Sequence, residues 1–277
     1  LRDKCQVESR ITLNEYLYYR LDKARIVAGK NMMNKYKTEL TIIGNSFNIQ
    51  PRFIVSILGL ESYYGKNQGS ISTIQAVMNL AFDVRRSKFY KTQLIAALKI
   101  IDKGFSSQDL VGSWGGAIGM PQFIPTTYLD SGYDWNEDGL IDIWNNYEDV
   151  FASIANYLTS IEKNPWNKNN TWGREVIPPK NINEIFNSFK QNNPKGCGAV
   201  KSRSVAKSLE EWQSFGFRTI EGEDLPKSKN LETRLVAPDG INGRMFLVYP
   251  NYKNILYYNC SSYYAIAIGL LSDAFKN

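Results

Sequence analysis

The segment Gly112–Tyr128, GSWGGAIGMPQFIPTTY, most constrains what this chain can fold into. Gly112, Gly115, Gly116 and Gly119 crowd into eight residues, so the backbone can pass close to another surface and adopt positive φ. Pro121 and Pro125 stiffen the second half of the segment, and the remaining polar side chains are few: Ser113, Gln122, Thr126 and Thr127. Such a stretch has little packing of its own, and a long, ordered version lines a site. On composition alone a glycine-rich surface turn is the simpler reading.

Two neighbours change that reading. Upstream lies PRFIVSILGLESYYG, with Pro51 suited to a first helical position and Gly65 to the stop. Ile54, Ile57, Leu58 and Leu60 cover much of that helix, so it is mostly buried. Glu61 closes the apolar run. There the helix dipole and partial desolvation both favour its protonated form, as a general acid requires. A helix-end glutamate turned to water is the plainer alternative. Downstream lies DWNEDGLID, where Asp134, Asn136 and Asp138 take positions one, three and five of an EF-hand-like loop. Gly139 supplies the turn at six and Leu140 a carbonyl at seven. Position twelve is Asn145 rather than glutamate, and an acid comes only at Asp149 or Glu148. An Asx-rich turn is the plainer alternative, but one-three-five oxygen spacing with glycine at six favours a calcium loop.

These three segments in this order, with YYNCSSYYAIAIGLL near the end, resemble the B-type membrane-bound lytic transglycosylases (glycoside hydrolase family 103), which cleave peptidoglycan glycan strands. The resemblance runs, with gaps, from about Pro51 to the C-terminus. It implies an α+β, predominantly α-helical fold: a lysozyme-like core, an additional helical region and a small β subdomain. It implies cleavage of the MurNAc-β-1,4-GlcNAc bond with Glu61 as the single general acid and base. The muramoyl C6 hydroxyl then closes a 1,6-anhydro ring, and no water is consumed. Ser113 and Gln122 would orient the sugar, Arg85 and Arg86 would lie near the saccharide cleft, and Tyr157, Tyr258, Asn259 and Tyr264 would line it. Asp149 matches the longer metal loop of this family. The metal set is then Asp134, Asn136, Asp138, Leu140 and Asp149, holding a structural calcium, with sodium as the other occupant. No cofactor is expected for catalysis. The family further implies a periplasmic monomer, outer-membrane associated in a Gram-negative bacterium, with any anchor outside this sequence.

Two rivals stay open. A muramidase would use water and a second carboxylate such as Asp83 or Asp109. A non-catalytic wall-binding or calcium-dependent scaffold would leave Glu61 merely structural.

Histidine is absent, which removes Ser-His-Asp and Cys-His catalysis and HExxH zinc sites. The formal charge of +6 suits an anionic polymer, and no basic run is dense enough for nucleic acid. Cys5, Cys197 and Cys260 show no metal spacing; a Cys197–Cys260 disulfide and free buried thiols both fit. No signal peptide or 18-residue apolar run is present, so a soluble chain is expected.

Apolar periodicity and turn residues divide the chain into five stretches. Residues 1–50 read as a helical subdomain, with Met33, Tyr36, Leu40, Ile43 and Phe47 on one helix ending near Asn48. Residues 51–161 form the catalytic core and its metal loop. Within it Ser72-Thr73 cap a helix through Ala81, another spans about Ser87–Lys103 with Leu94, Ala97, Leu98 and Ile101 inward, and a third covers Asp149–Ile161. Residues 162–216 read as a crossing region, loop-like to 182, with helices near Ile182–Asn192 and Ser204–Phe215. Residues 217–259 form a β-rich insert from TRLVAP, GRMFLVYP and NILYYN, and 260–277 a helix returning to the core.

Overall fold

The computed structural model describes residues 11–228 and 231–276, and Cys5 lies outside them. The protein is α+β and predominantly helical. It divides into two compact units. The first holds Lys23–Thr159 and the chain from Ala274 onward. The second holds Ser160–Asp273 together with α1 (Leu13–Arg20), whose N-terminus is closed by a Thr12–Glu15 capping box.

The first unit opens with α2 (Lys23–Lys35) and α3 (Lys37–Ser46), where one continuous helix is predicted near Met33–Asn48. The break falls at Tyr36 (φ −108°, ψ 32°), whose ring packs on Tyr147 and Phe151 at 5.0 and 5.4 Å. That tertiary contact outweighs local helical periodicity. Leu40 and Ile43 of α3 face the core, as predicted.

Next comes α4 (Pro51–Ser62), with Pro51 in its first turn as its fixed φ favours. Phe53, Ile54, Val55, Ile57 and Leu58 are all fully buried, each contributing about 1.5–3 kcal/mol of apolar burial. The helix stops at Ser62 rather than Gly65. Tyr63 (φ 52°), Tyr64 (φ 60°) and Gly65 (φ 86°) run left-handed in succession, and Tyr64 N–H reaches back to the Leu58 carbonyl at 3.1 Å. Two non-glycine residues with positive φ cost of order 1–3 kcal/mol each, so packing must hold them. Tyr64 is 4% exposed, and its hydroxyl donates to the Arg25 carbonyl at 2.8 Å. A Cβ on Gly59 would sit 2.7 Å from the Tyr64 ring, so only glycine leaves room for it.

A two-residue strand β1 (Ile71–Ser72) leads into α5 (Thr73–Ala81), capped by the Ser72 hydroxyl as predicted. The following α6 (Ser87–Asp102) matches its predicted span, but its buried face is Tyr90, Gln93, Ala96, Ala97 and Ile100. Leu98 is 48% exposed, a rotation away from the predicted inward set. The strand β2 (Val111–Gly112) pairs antiparallel with β1. The unit closes with α7 (Pro125–Ser131) and α8 (Tyr147–Thr159), the latter starting two residues before the predicted Asp149.

The second unit is built on a four-stranded antiparallel sheet in the order β4-β3-β6-β5. Its first strand, β3 (Gly173–Ile177), lies inside the predicted loop 162–182. It exists because it pairs with β6, far away in sequence, a partner no local pattern reveals. Three short helices come next: α9 (Ile182–Ile185), continued by a 3₁₀ turn to Phe189, then α10 (Gly198–Lys201) and α11 (Leu209–Ser214). Then come β4 (Arg218–Thr219), β5 (Arg234–Val236) and β6 (Met245–Val248). One core packs Phe189, Trp212, Phe217 and Leu247 together. NILYYN, predicted as strand, belongs to α12 (Pro250–Tyr258). Pro250 starts it, and Asn251, Tyr252, Asn254 and Ile255 are inward on the helical period. The chain then runs through α13 (Ser262–Ala274). Cys197 and Cys260, both in this unit, are disulfide-bonded with Cα atoms 6.4 Å apart. Among the described residues no helix is long and apolar enough to cross a membrane.

Candidate active site

Glu61 sits in the last turn of α4, half-buried, where outward-pointing carbonyl dipoles disfavour a negative charge. The turn behind it is pinned at several points. Gly65 N–H donates to Ser62 Oγ at 2.9 Å, Asn67 N–H to the Ser62 carbonyl at 2.8 Å, and Tyr147 OH to the Tyr64 carbonyl at 3.1 Å. A carboxylate carried on a buried helix and a pinned, strained turn is held in one place, as positioned acid catalysis needs.

The glycine-rich segment is no loose loop. Ile71 pairs with Gly112, Gly112 bridges to Ile118, and Ile118 bridges to Phe123. The segment therefore folds back twice as a small ladder. Ser113 closes its first reversal: its N–H donates to the Ala117 carbonyl at 2.7 Å and its hydroxyl oxygen accepts from Ala117 N–H at 3.1 Å. Gly119 (φ 64°) makes the second, where a Cβ would stand 2.7 Å from the Ile143 carbonyl. Gln122, also left-handed at φ 53°, donates from its amide to the Gln68 carbonyl at 3.0 Å and the Gly119 carbonyl at 2.9 Å. Both amide protons are thus engaged, leaving Oε1 as the group that can accept a hydrogen bond.

Beside this segment opens a groove of about 770 Å³, walled by Gly65–Ser70 and by Phe105, Asp109 and Trp144. Phe105 and Trp144 stack with ring centroids 4.3 Å apart, and Trp144 Nε1–H is fixed on the Val111 carbonyl at 3.0 Å. Gln68 Oε1 is buried with no hydrogen-bond partner among the described residues. Sequence does not single out Gln68, Phe105 or Trp144, since they belong to no motif and come from three separate stretches. Glu61, Ser113 and Gln122 are not among the residues walling this groove.

Of the other residues expected at the site, Arg85, Arg86 and Tyr157 belong to the first unit and Tyr258, Asn259 and Tyr264 to the second. Arg85 is exposed beyond α5, its N–H on Asp83 Oδ1 at 3.1 Å, while Arg86 lies over the Phe89 and Tyr90 rings at 4.9 Å. Tyr157 on α8 is half-buried against Phe123, ring centroids 5.8 Å apart. Burial pushes its phenol up to about 12, so it stays a neutral hydroxyl. Tyr258, Asn259 and Tyr264 belong to the second unit, at the end of α12 and the start of α13. Tyr264 is 4% exposed, and Asn259 is exposed.

The acidic loop is folded on its own side chains. Asp134 Oδ2 accepts from Gly139 N–H at 2.8 Å, Asp138 Oδ1 from Leu140 N–H at 2.9 Å, and Asn136 donates to Asp138 at 2.8 Å. Asp149, fully buried on α8, accepts from Trp135 and Asp142 N–H at 2.9 and 2.8 Å. Burial, with the charges of Asp134 and Asp138 adding to it, raises the Asp149 carboxyl above the usual aspartate range despite those hydrogen bonds. Asp134 Oδ1 is buried without a hydrogen-bond partner among the described residues. Among the described residues no three acidic side chains converge into a preformed metal cluster.

The chain belongs to the Transglycosylase SLT domain family, whose model matches residues 2–273. The chain is 25% identical over 244 residues to membrane-bound lytic murein transglycosylase B of Escherichia coli (strain K12), covering 87% of this chain and 61% of that protein. It thus spans about three fifths of the length of that curated relative. Among solved structures, SltB3 from Pseudomonas aeruginosa in complex with NAG-anhNAM-pentapeptide superposes with a TM-score of 0.85 at 34% identity. That match covers 96% of this chain and 67% of the other. Soluble lytic transglycosylase SltB1 from the same organism matches at a TM-score of 0.79 and 25% identity, covering 96% and 84%. The fold is therefore lysozyme-like, as the family resemblance implies.

Proposed function

We propose that the protein is a peptidoglycan lytic transglycosylase, cleaving the MurNAc-β-1,4-GlcNAc bond of glycan strands. The observation that carries this reading is Glu61, half-buried at the end of α4 and followed by a pinned left-handed turn. Glu61 protonates the glycosidic oxygen as the C1–O bond breaks. The resulting carboxylate accepts the proton of the muramoyl C6 hydroxyl as that oxygen bonds to C1, which closes the 1,6-anhydro ring and restores the acid. The reaction is an isomerising cleavage that takes up no water. Ser113, through its hydroxyl, and Gln122, through Oε1, orient the sugar; Arg85, Arg86, Tyr157, Tyr258, Asn259 and Tyr264 complete the substrate contacts.

The acidic loop is proposed as a structural calcium site, with sodium as an alternative occupant. Asp134, Asn136, Asp138, the Leu140 carbonyl and Asp149 would hold the ion. The buried, unpartnered Asp134 Oδ1 and the raised Asp149 carboxyl support the fit, since a cation would relieve both. The metal supplies charge neutralisation only. The disulfide supports an exported, oxidising location, for which the periplasm and association with the outer membrane are proposed.

A muramidase is the second reading, favoured by one observation: Asp109 is exposed in the groove beside Trp144. Mass spectrometry of products from purified sacculi decides. Anhydro ends, one water lighter, with no reducing muramic acid, support the transglycosylase; full-mass reducing muropeptides overturn it in favour of the muramidase.

A further inference from the structure

Within the second unit, a pocket of about 320 Å³ opens between β5, β6 and the start of α12. Its walls carry Lys163, Arg203, Arg234 and Lys253 against one carboxylate, Glu232. That carboxylate is already committed, since Arg234 grips it through Nε and a terminal nitrogen at 3.0 and 2.8 Å. Arg203 is 7% exposed, and among the described residues no carboxylate pairs with it. Its Nε donates to the Val200 carbonyl at 3.3 Å, and burial, then the charge of Arg234, lowers its affinity for its own proton.

A buried guanidinium without an ion pair of its own, and with the Glu232 charge nearby already held by Arg234, favours further negative charge beside it. Its position is nevertheless fixed. The neighbouring Ser204 is laced to Leu235 of β5 by two hydrogen bonds at 2.7 and 2.9 Å, and Gln191 donates to the Arg203 carbonyl at 2.6 Å. Two further features point the same way. Pro250, in the first turn of α12, lines the pocket, and no side chain caps that helix N-terminus. Asn164 is held at the rim, its amide donating to the Pro250 carbonyl at 2.9 Å.

We propose that the pocket bounded by Lys163, Arg203, Arg234 and Lys253 binds the carboxylates of an acidic peptide, the class of peptide carried by peptidoglycan strands. Resting on the proposed function for the choice of ligand, this makes the second unit a reader of the stem peptide. Arg203 takes a carboxylate side-on through its terminal nitrogens, and the two lysines act as point charges on a second.

The probe is the dipeptide L-alanyl-γ-D-glutamate, titrated into the isotope-labelled full chain and followed by amide chemical shifts. Its bis-amide and inorganic phosphate serve as controls. Saturable shifts are expected at Asn164, Arg203 and Tyr249, with the bis-amide silent. Arg203→Gln is expected to weaken binding about tenfold, the scale of one lost charge-assisted contact. Because Arg203 is buried and its replacement can unfold the unit, the double variant Lys163→Gln, Lys253→Gln is a second test, expected to weaken binding several-fold. Equal binding of the bis-amide, shifts away from this pocket, or phosphate binding there without the dipeptide each overturns the proposal. Binding is read without turnover. Its failure leaves the transglycosylase reading standing, and absence of anhydro products leaves the pocket standing.

Discussion

Gln122 is tied to Gln68 by an amide-to-carbonyl hydrogen bond of 3.0 Å, joining the glycine-rich ladder to the segment just beyond Glu61. The other amide proton of Gln122 closes its own turn on Gly119. Gln122→Ala removes both bonds and leaves two carbonyls without these donors. It is expected to lower stability by about 1–3 kcal/mol in urea unfolding and to raise KM for glycan strands. Gln122→Glu is expected to be worse, because its carboxylate faces two acceptors. Retained wild-type stability in both variants would remove the linkage.

Glu61→Gln keeps the size and shape of the side chain but cannot cycle a proton. Loss of general acid catalysis costs typically 10²–10⁴-fold. Anhydro-product formation is expected to fall by at least about 10²-fold while strand binding by pull-down persists. Turnover within a factor of two of wild type would place the acid elsewhere. Gly59→Ala separates position from chemistry. The added methyl meets the Tyr64 ring, shifts the turn behind an intact Glu61, and is expected to cost about 1–3 kcal/mol together with activity.

The start of α4 was legible because Pro51 fits a first turn; its end was not, because left-handed Tyr63 and Tyr64 are imposed by packing. NILYYN has strand-like composition, yet burial of Asn251, Asn254 and Ile255 on one helical face decides for α12. The strand β3 was invisible because its partner β6 is non-local. In the candidate site, Glu61, Ser113 and Gln122 stood out through their motifs. Gln68, Phe105 and Trp144 carry no local signal and gather only when the chain folds.

Calcium is expected to raise the thermal midpoint of the chelator-treated protein, by about 2.7 kcal/mol of stabilisation at one hundred times Kd. Asp134→Asn and Asp149→Asn are each expected to reduce that gain, since each withdraws one of the loop's carboxylates. No midpoint change on adding calcium to the chelated wild type would count against the site.

The α11 capping box carries a pH signature. Glu211 accepts Ser208 N–H at 2.7 Å, with Lys207 Nζ 3.6 Å away. The backbone bond, then Lys207, holds its carboxyl below the usual glutamate value. A lowered folded-state value means stability present above the ordinary glutamate range and lost as pH falls through the lowered value. Glu211→Gln is therefore expected to flatten the acid side of the stability profile. Ser208→Ala should cost about 1 kcal/mol at neutral pH. An unchanged acid limb in Glu211→Gln would refute the assignment.

The Cys197–Cys260 bond joins residues 63 apart, linking the cap of α10 to the junction between α12 and α13. Closing a loop of that length removes unfolded-state entropy equivalent to about 4 kcal/mol, and loss of a native disulfide costs about 2–5 kcal/mol. Cys197→Ser with Cys260→Ser, measured in urea, is expected to lose stability in that range. Dithiothreitol should destabilise wild type by a similar amount and leave the double variant unchanged. A wild type indifferent to reduction would mean the bond contributes nothing to the second unit. The fixed position of Arg203 would then rest on the ties of Ser204 to β5 and on the hydrogen bonds of Arg203 with Gln191 and Val200.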